Sequence, residues 1–235
     1  MKRAKANSKS LNALFIGNSF TARNDLPGLI EKLAAAHGYR FQHQLINVGG
    51  ASLRTHWNKG EALKAIKTGK FDRVILQEQS TLPVKNAARM HENVRLFNEA
   101  IRAGGAKTVL YMTWARRHSP EHQKLISKAY ESIGREVGST VAPVGVAWQK
   151  FLAKHDSPVL HDKDESHPTL AGSYLAACVF LEALFGKSPT KPVDLDGLSE
   201  QDQLILQRAG YVRNPPSGGT PGEGQESADV SPLSK

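Results

Sequence analysis

The chain has 235 residues, 40% of them hydrophobic, a length that suits one domain with a sizeable core and needs no second one. Its single cysteine, Cys178, excludes an internal disulfide and, inside the apolar run Tyr174 to Phe185, reads as a small buried hydrophobe. The formal net charge is +9 and the pI about 9.7, but the cations concentrate near the N-terminus and among glutamates on helical polar faces, so they read as solvated surface and no nucleic-acid partner is expected.

Residues 1–10 carry Lys2, Arg3, Lys5 and Lys9 without periodicity and read as a flexible basic arm. This segment lacks a signal-peptide core, and no apolar run approaches the roughly 20 residues of a membrane span. A cytoplasmic chain without a membrane-spanning helix is therefore expected. From 11 to 210 the pattern alternates. Leu11 to Ile16 is a strand that meets the turn Gly17-Asn18-Ser19, and Leu26 to Ala36 is a helix stopped by Gly38. Phe41 to Val48 is a second strand ending in Gly49-Gly50, followed by one helix over His56 to Thr68. Phe71 to Leu76 is a third strand that closes on the polar run Gln77-Glu78-Gln79-Ser80. A helix from Asn86 to Ala103 leads to a fourth strand, Lys107 to Met112, and then to Trp114, Arg116 and Arg117.

The second half continues the alternation. Pro120 to Val137 is predicted helical, Thr140 to Val146 a fifth strand and Ala147 to Lys154 a short helix. A polar loop from His155 to Ser166 precedes a long apolar helix opened by Pro168, with Leu198 to Gln207 as a last surface helix. From Asn214 to the end, Pro, Gly, Ser and acidic residues predict a disordered tail. Five strands alternating with helices predict an α/β fold, a three-layer α/β/α sandwich on a five-stranded parallel sheet, because parallel strands need helical crossovers. The expected order is 2-1-3-4-5. Ligands then bind beyond the carboxyl ends of the strands, where Ser19, Gly50, Gln79 and Trp114 each follow a different strand.

That placement suggests chemistry. A serine hydroxyl becomes a nucleophile when a neutral imidazole takes its proton and a carboxylate fixes the ring's tautomer. His167 and Asp164, three residues apart before Pro168, can supply both; His161 and Asp162 are rivals that lack this spacing. The other histidines, His56 among them, read as solvated or locally bonded, and Glu78 and Glu165 as surface carboxylates. Trp114 reads as a wall of the site, and Trp57 and Trp148 as packing residues. No histidine pair has metal-ligand spacing, so neither metal nor cofactor is expected.

Gly17-Asn18-Ser19, Gly49-Gly50 and Asp164-Glu165-Ser166-His167, in this order, resemble the blocks of the SGNH (GDSL-like) hydrolases across roughly residues 11–186. Two blocks depart from the commoner pattern: Asn18 stands where Asp is usual, and Gln77-Glu78-Gln79-Ser80 stands in place of Gly-x-Asn-Asp. The resemblance implies a serine hydrolase acting on an ester through Ser19, His167 and Asp164. Its oxyanion donors would be the N–H groups of Ser19 and Gly50, with Gly49 as an alternative, and a side-chain amide. In the family that amide is an asparagine; Gln79 is its counterpart here and Asn18 a second candidate. Asn18, Trp114 and Arg116 are expected at the substrate, a small-molecule or carbohydrate ester. The family also contains lipases, thioesterases, carbohydrate deacetylases and acyltransferases, so acyl transfer is an alternative outcome. A different class is a flavodoxin-like nucleotide-binding module, faintly suggested by Ser19-Phe20-Thr21, which would leave Asp164 and His167 without a task and give a yellow protein.

Overall fold

A computed structural model describes residues 10–210. The expected arm and the tail from 214 lie outside them, except that Ser10 already opens the first strand. In chain order the elements are β1 (Ser10–Gly17), α1 (Ser19–Ala22), a 3₁₀ turn (Arg23–Asp25), α2 (Leu26–Ala36), β2 (Arg40–Asn47), α3 (Leu53–Lys59) and α4 (Glu61–Thr68). Then follow β3 (Arg73–Leu76), α5 (Leu82–Lys85), α6 (Ala87–Ala103), β4 (Lys107–Tyr111) and α7 (His122–Val137). The chain closes with β5 (Thr140–Ala142), α8 (Val144–Leu152), α9 (Leu170–Phe185) and α10 (Glu200–Gly210).

All five strands pair in parallel in the order β2-β1-β3-β4-β5, as expected. Ile16 lies opposite Ile46 on one side and Leu76 on the other, and Leu76 lies opposite Leu110, so the carboxyl ends of the central strands are level. Because successive residues of a strand face opposite sides, the sheet feeds two cores. Ala13, Phe15, Ile75, Val109 and Tyr111 pack into one layer with α2, α8, α9 and α10. Leu14, Ile16, Val74, Leu76 and Leu110 pack into the other with α3, α4, α6 and α7. Helix α9 is buried over most of its circumference, which explains why its sequence is apolar all round. Cys178 lies inside it, fully buried, and burial pushes its thiol pKa up.

Besides the short helices α1 and α5 and shifts of one to three residues elsewhere, three boundaries differ from the sequence reading. The helix predicted over 56–68 is two helices, because Gly60 takes a left-handed conformation (φ 75°) that ends α3 and starts α4. The fifth strand stops at Ala142, since Pro143 has no N–H to continue the ladder and the chain turns into α8 one residue later. The apolar run Val141 to Val146 conceals that change. Helix α9 starts at Leu170 with Thr169 as its cap, the Thr169 Oγ1 accepting from Gly172 N at 3.2 Å. Pro168 instead pairs with His161 in an antiparallel bridge.

Gly172 is where α9 meets the loop before it. A Cβ there would come within 2.6 Å of both the Leu160 carbonyl oxygen and the Trp148 ring. Backbone on one side and a packed indole on the other cannot both yield. Gly172→Ala is therefore expected to cost about 1–3 kcal/mol, read as a lower denaturant midpoint, and to disturb the adjoining loop up to His167.

Candidate active site

Ser19 follows β1 in a turn that several polar side chains hold. The Asn18 Oδ1 accepts from Phe20 N (3.1 Å), its Nδ2 donates to the Ala51 carbonyl (2.9 Å), and its backbone N–H donates to Gln77 Oε1 (2.8 Å). The same Gln77 oxygen accepts from the Thr21 hydroxyl at 3.0 Å. His56, buried, donates through Nε2 to the Gly17 carbonyl at 2.9 Å. Its burial lowers the ring's pKa below the ordinary value, so the bond is made by a neutral imidazole. A turn fixed from β3, from α3 and from its own cap leaves the Ser19 hydroxyl little freedom.

The structure brings Ser19, His167 and Asp164 together. Ser19 Oγ lies 2.8 Å from His167 Nε2. His167 Nδ1 bonds to Asp164 Oδ2, and the other carboxylate oxygen accepts from the backbone N–H groups of His167 (2.9 Å) and Ser166 (3.1 Å). The bond to the imidazole, reinforced by those two N–H groups, holds the Asp164 carboxyl well below the usual carboxylate range. An ionised Asp164 selects the tautomer with the proton on Nδ1. Nε2 then offers its lone pair to the serine hydroxyl.

The loop that carries His167 is tied to the serine segment. Arg23 pairs with Asp162 at 2.6 Å, and Asp162 N donates to the His167 carbonyl at 2.8 Å. Asn24 Nδ2 reaches the Pro168 carbonyl at 3.2 Å. Trp114 Nε1 donates to the Ser166 carbonyl at 3.0 Å, and Arg117 N to that of Glu165 at 3.0 Å. Beneath the loop, the Phe20 ring lies 5.2 Å from the His167 ring and 4.9 Å from Trp114, which stacks on Trp148 at 3.8 Å. Phe20, at the end of this stack, packs against the imidazole at a tilt of 48°.

Several residues differ from their sequence reading. Asn18, expected at the substrate, is 2% exposed and committed at both ends of its amide to the serine turn. Trp114, expected as a wall, is 2% exposed and chiefly a support for the histidine loop, although part of it lines the clefts beside the site. Arg116 is exposed on the rim of both clefts. The rival His161 is buried, donates through Nε2 to the Ala115 carbonyl at 3.1 Å and meets the Trp148 ring edge-on, a structural position away from the serine. Its rival partner Asp162 is spent on Arg23. His56 turned out to be buried scaffold, and a histidine shortly after a glycine pair carries no pattern that would reveal it.

The prospective oxyanion donors follow three adjacent strands, Ser19 after β1, Gly50 after β2 and Gln79 after β3. Among the described residues, the backbone N–H groups of Ser19 and Gly50 have no acceptor within the protein. Gln79 Oε1 accepts from Thr81 N (2.9 Å), Thr81 Oγ1 (2.9 Å) and Leu82 N (3.1 Å), which fixes the amide and leaves its NH₂ end as the free donor. Glu78, read as a surface carboxylate, is instead fully buried. Its Oε1 accepts from Leu53 N (2.9 Å) and Gln79 N (2.7 Å), and its Oε2 from Asn93 Nδ2 (2.8 Å). One carboxyl group thus ties the segment after Gly50 to the segment bearing Gln79. Burial raises its pKa. Glu78→Ala would strand three donors, and a loss of about 3–5 kcal/mol is expected in chemical denaturation, since each buried group left unsatisfied costs about 1–3 kcal/mol. Glu78→Gln, which keeps one acceptor oxygen, should lose less.

Among the described residues no group of three or more His, Cys, Asp or Glu side chains is gathered as metal ligands are, and no helix is long and apolar enough to cross a membrane.

No protein-family model matches the sequence, and neither does any curated protein. Solved structures do. A proposed SGNH hydrolase from Slackia heliotrinireducens is 26% identical with a TM-score of 0.64, over 75% of this chain and 100% of that one. A DUF4886 family protein from Bacteroides uniformis is 21% identical with a TM-score of 0.69, over 86% and 94%. An acetyl-xylooligosaccharide esterase from Geobacillus is 15% identical with a TM-score of 0.59, over 76% and 95%. The structural neighbours are thus SGNH hydrolases and esterases, and this chain has their fold.

Proposed function

We propose that the protein is an SGNH-type serine hydrolase that cleaves an ester of a small molecule or carbohydrate through an acyl-enzyme. The observation that carries this reading is the hydrogen-bonded row Asp164, His167, Ser19, with 2.8 Å between Ser19 Oγ and His167 Nε2. His167 takes the hydroxyl proton as Ser19 Oγ attacks the ester carbonyl. Asp164 stabilises the imidazolium that results and remains ionised itself. The negative charge moves to the former carbonyl oxygen, which meets the N–H groups of Ser19 and Gly50 and the amide of Gln79. On collapse, the bond to the alcohol breaks and His167 returns the proton to the leaving oxygen. A water molecule, deprotonated by the same nitrogen, then releases the acid and restores the serine.

The acetyl-xylooligosaccharide esterase among the neighbours supports placing carbohydrate O-deacetylation within this reading. The test is a panel of nitrophenyl esters graded by acyl length alongside acetylated oligosaccharides, run with and without an added alcohol as acyl acceptor. Release of free acid with a preference for the shortest acyl groups is expected. Transfer to the added alcohol in preference to water would make the enzyme an acyltransferase, and a yellow, ester-inert protein would return the fold to the nucleotide-binding reading.

A further inference from the structure

A cleft of about 350 Å³ opens beside the site, between the loop after β3 and the loop after β4. Its inner wall includes Gln79 and Trp114, the first a proposed oxyanion donor and the second stacked on the residue that follows Ser19. Gln79 follows β3, the neighbour of β1, and Trp114 follows β4, the next strand, so the cleft lies at the same carboxyl edge of the sheet as Ser19. Its rim carries Lys85, Arg116, His118 and His122, and among the described residues no carboxylate lines it. Glu165 faces His118 at 3.4 Å, and Glu121 faces His122 at 3.7 Å. Lys85 and Arg116, however, have no carboxylate within ion-pair distance among the described residues.

Two unpaired cations from different elements, Lys85 at the end of α5 and Arg116 after β4, line a cleft whose wall includes one proposed oxyanion donor, Gln79. Like charges gathered on one rim repel each other, and an anion between them removes that cost. The wall is apolar enough to hold a body of several carbons, and the rim suits a charged group projecting from it. An overall charge of +9 would also draw such a molecule in from solution.

We propose that this cleft is a carboxylate subsite, and that the preferred substrate is an ester bearing a carboxylate away from the bond that is cleaved, held by Lys85 and Arg116. The proposal rests on the serine-hydrolase reading. Two pairs of esters test it, each pair matched in shape and differing in one charge. On the alcohol side the pair is 4-carboxyphenyl acetate against 4-carbamoylphenyl acetate. On the acyl side it is mono-4-nitrophenyl succinate against 4-nitrophenyl succinamate. The anionic member of one pair should have the higher kcat/KM, by about tenfold, and the pair concerned identifies which half of the ester occupies the cleft. Lys85→Glu combined with Arg116→Glu should reverse that ratio, and rising ionic strength should shrink it in the native protein because both cations are exposed. Hydrolysis of all four esters with the same ratio in the native protein and in the reversed variant overturns the subsite and leaves the hydrolase reading standing. No hydrolysis of any of them, with no modification of Ser19 by a serine-reactive phosphonate, overturns the hydrolase reading itself.

Discussion

Ser19→Ala should lower kcat by about 10⁴- to 10⁶-fold in steady-state ester hydrolysis, and His167→Ala should lower it by nearly as much. The two side chains should act as one unit, since among the described residues His167 is the base hydrogen-bonded to the Ser19 hydroxyl and Ser19 the hydroxyl bonded to its Nε2. The double variant should consequently be no worse than either single one. Asp164→Asn should fall to a comparable level, roughly 10⁴-fold down, because an amide offered to Nδ1 no longer selects the tautomer that leaves Nε2 free. All of these variants should keep the native circular-dichroism spectrum and denaturant midpoint to within a small shift. Ser19 is a small, half-buried side chain, and the loop of His167 is retained by Arg23, Asn24 and Trp114 independently of the imidazole. Additive losses in the double variant would mean that the serine and the histidine work separately.

Gln79→Ala carries the second large effect. The amide oxygen is held by Thr81 and Leu82, so the NH₂ group is oriented before any substrate arrives. A donor fixed in advance favours charge that develops in the transition state and does little for the neutral ester, so the loss should fall on kcat, by about 10²- to 10³-fold, with KM nearly unchanged. Gln79→Asn tests the geometry further. It shortens the stem by one methylene and should be impaired, because the turn around Thr81 is built for the longer side chain. An unchanged kcat in Gln79→Ala would leave the oxyanion to the two backbone donors.

The layer order and the strand sequence were legible because strands and helices alternate with clear stops at Gly38 and the Gly49-Gly50 pair, and because parallel pairing leaves few topologies. Local conformation was harder to read where composition is continuous across a boundary. The break at Gly60 lies in a run that is helical on both sides, and β5 passes into α8 without any change in hydrophobicity. The sequence also nominated Ser19, Asp164 and His167, since each closes or opens an element in a recognisable pattern. It does not show their contact, because Ser19 and His167 are 148 positions apart and the histidine loop meets the serine segment through tertiary ties from Arg23, Asn24 and Trp114. The supports were hidden for a related reason. Whether Glu78, His56 or Trp114 faces solvent depends on what the neighbouring loop does: the sequence reads Glu78 as surface and His56 as solvated or locally bonded by residue type, and Trp114 as a wall from its place after β4. A buried carboxylate accepting two backbone N–H groups and one side-chain amide has no local sequence signature.

The central claim is that the Ser19 hydroxyl is the activated nucleophile of an ester hydrolase, and the most direct measurement is the site of attack by a fluorophosphonate. The native protein should gain the mass of one phosphonyl group, peptide mapping should place it on Ser19, and the rate of labelling should drop by several orders of magnitude in His167→Ala. Labelling at another residue, or labelling of Ser19 at the same rate with and without His167, would contradict the account.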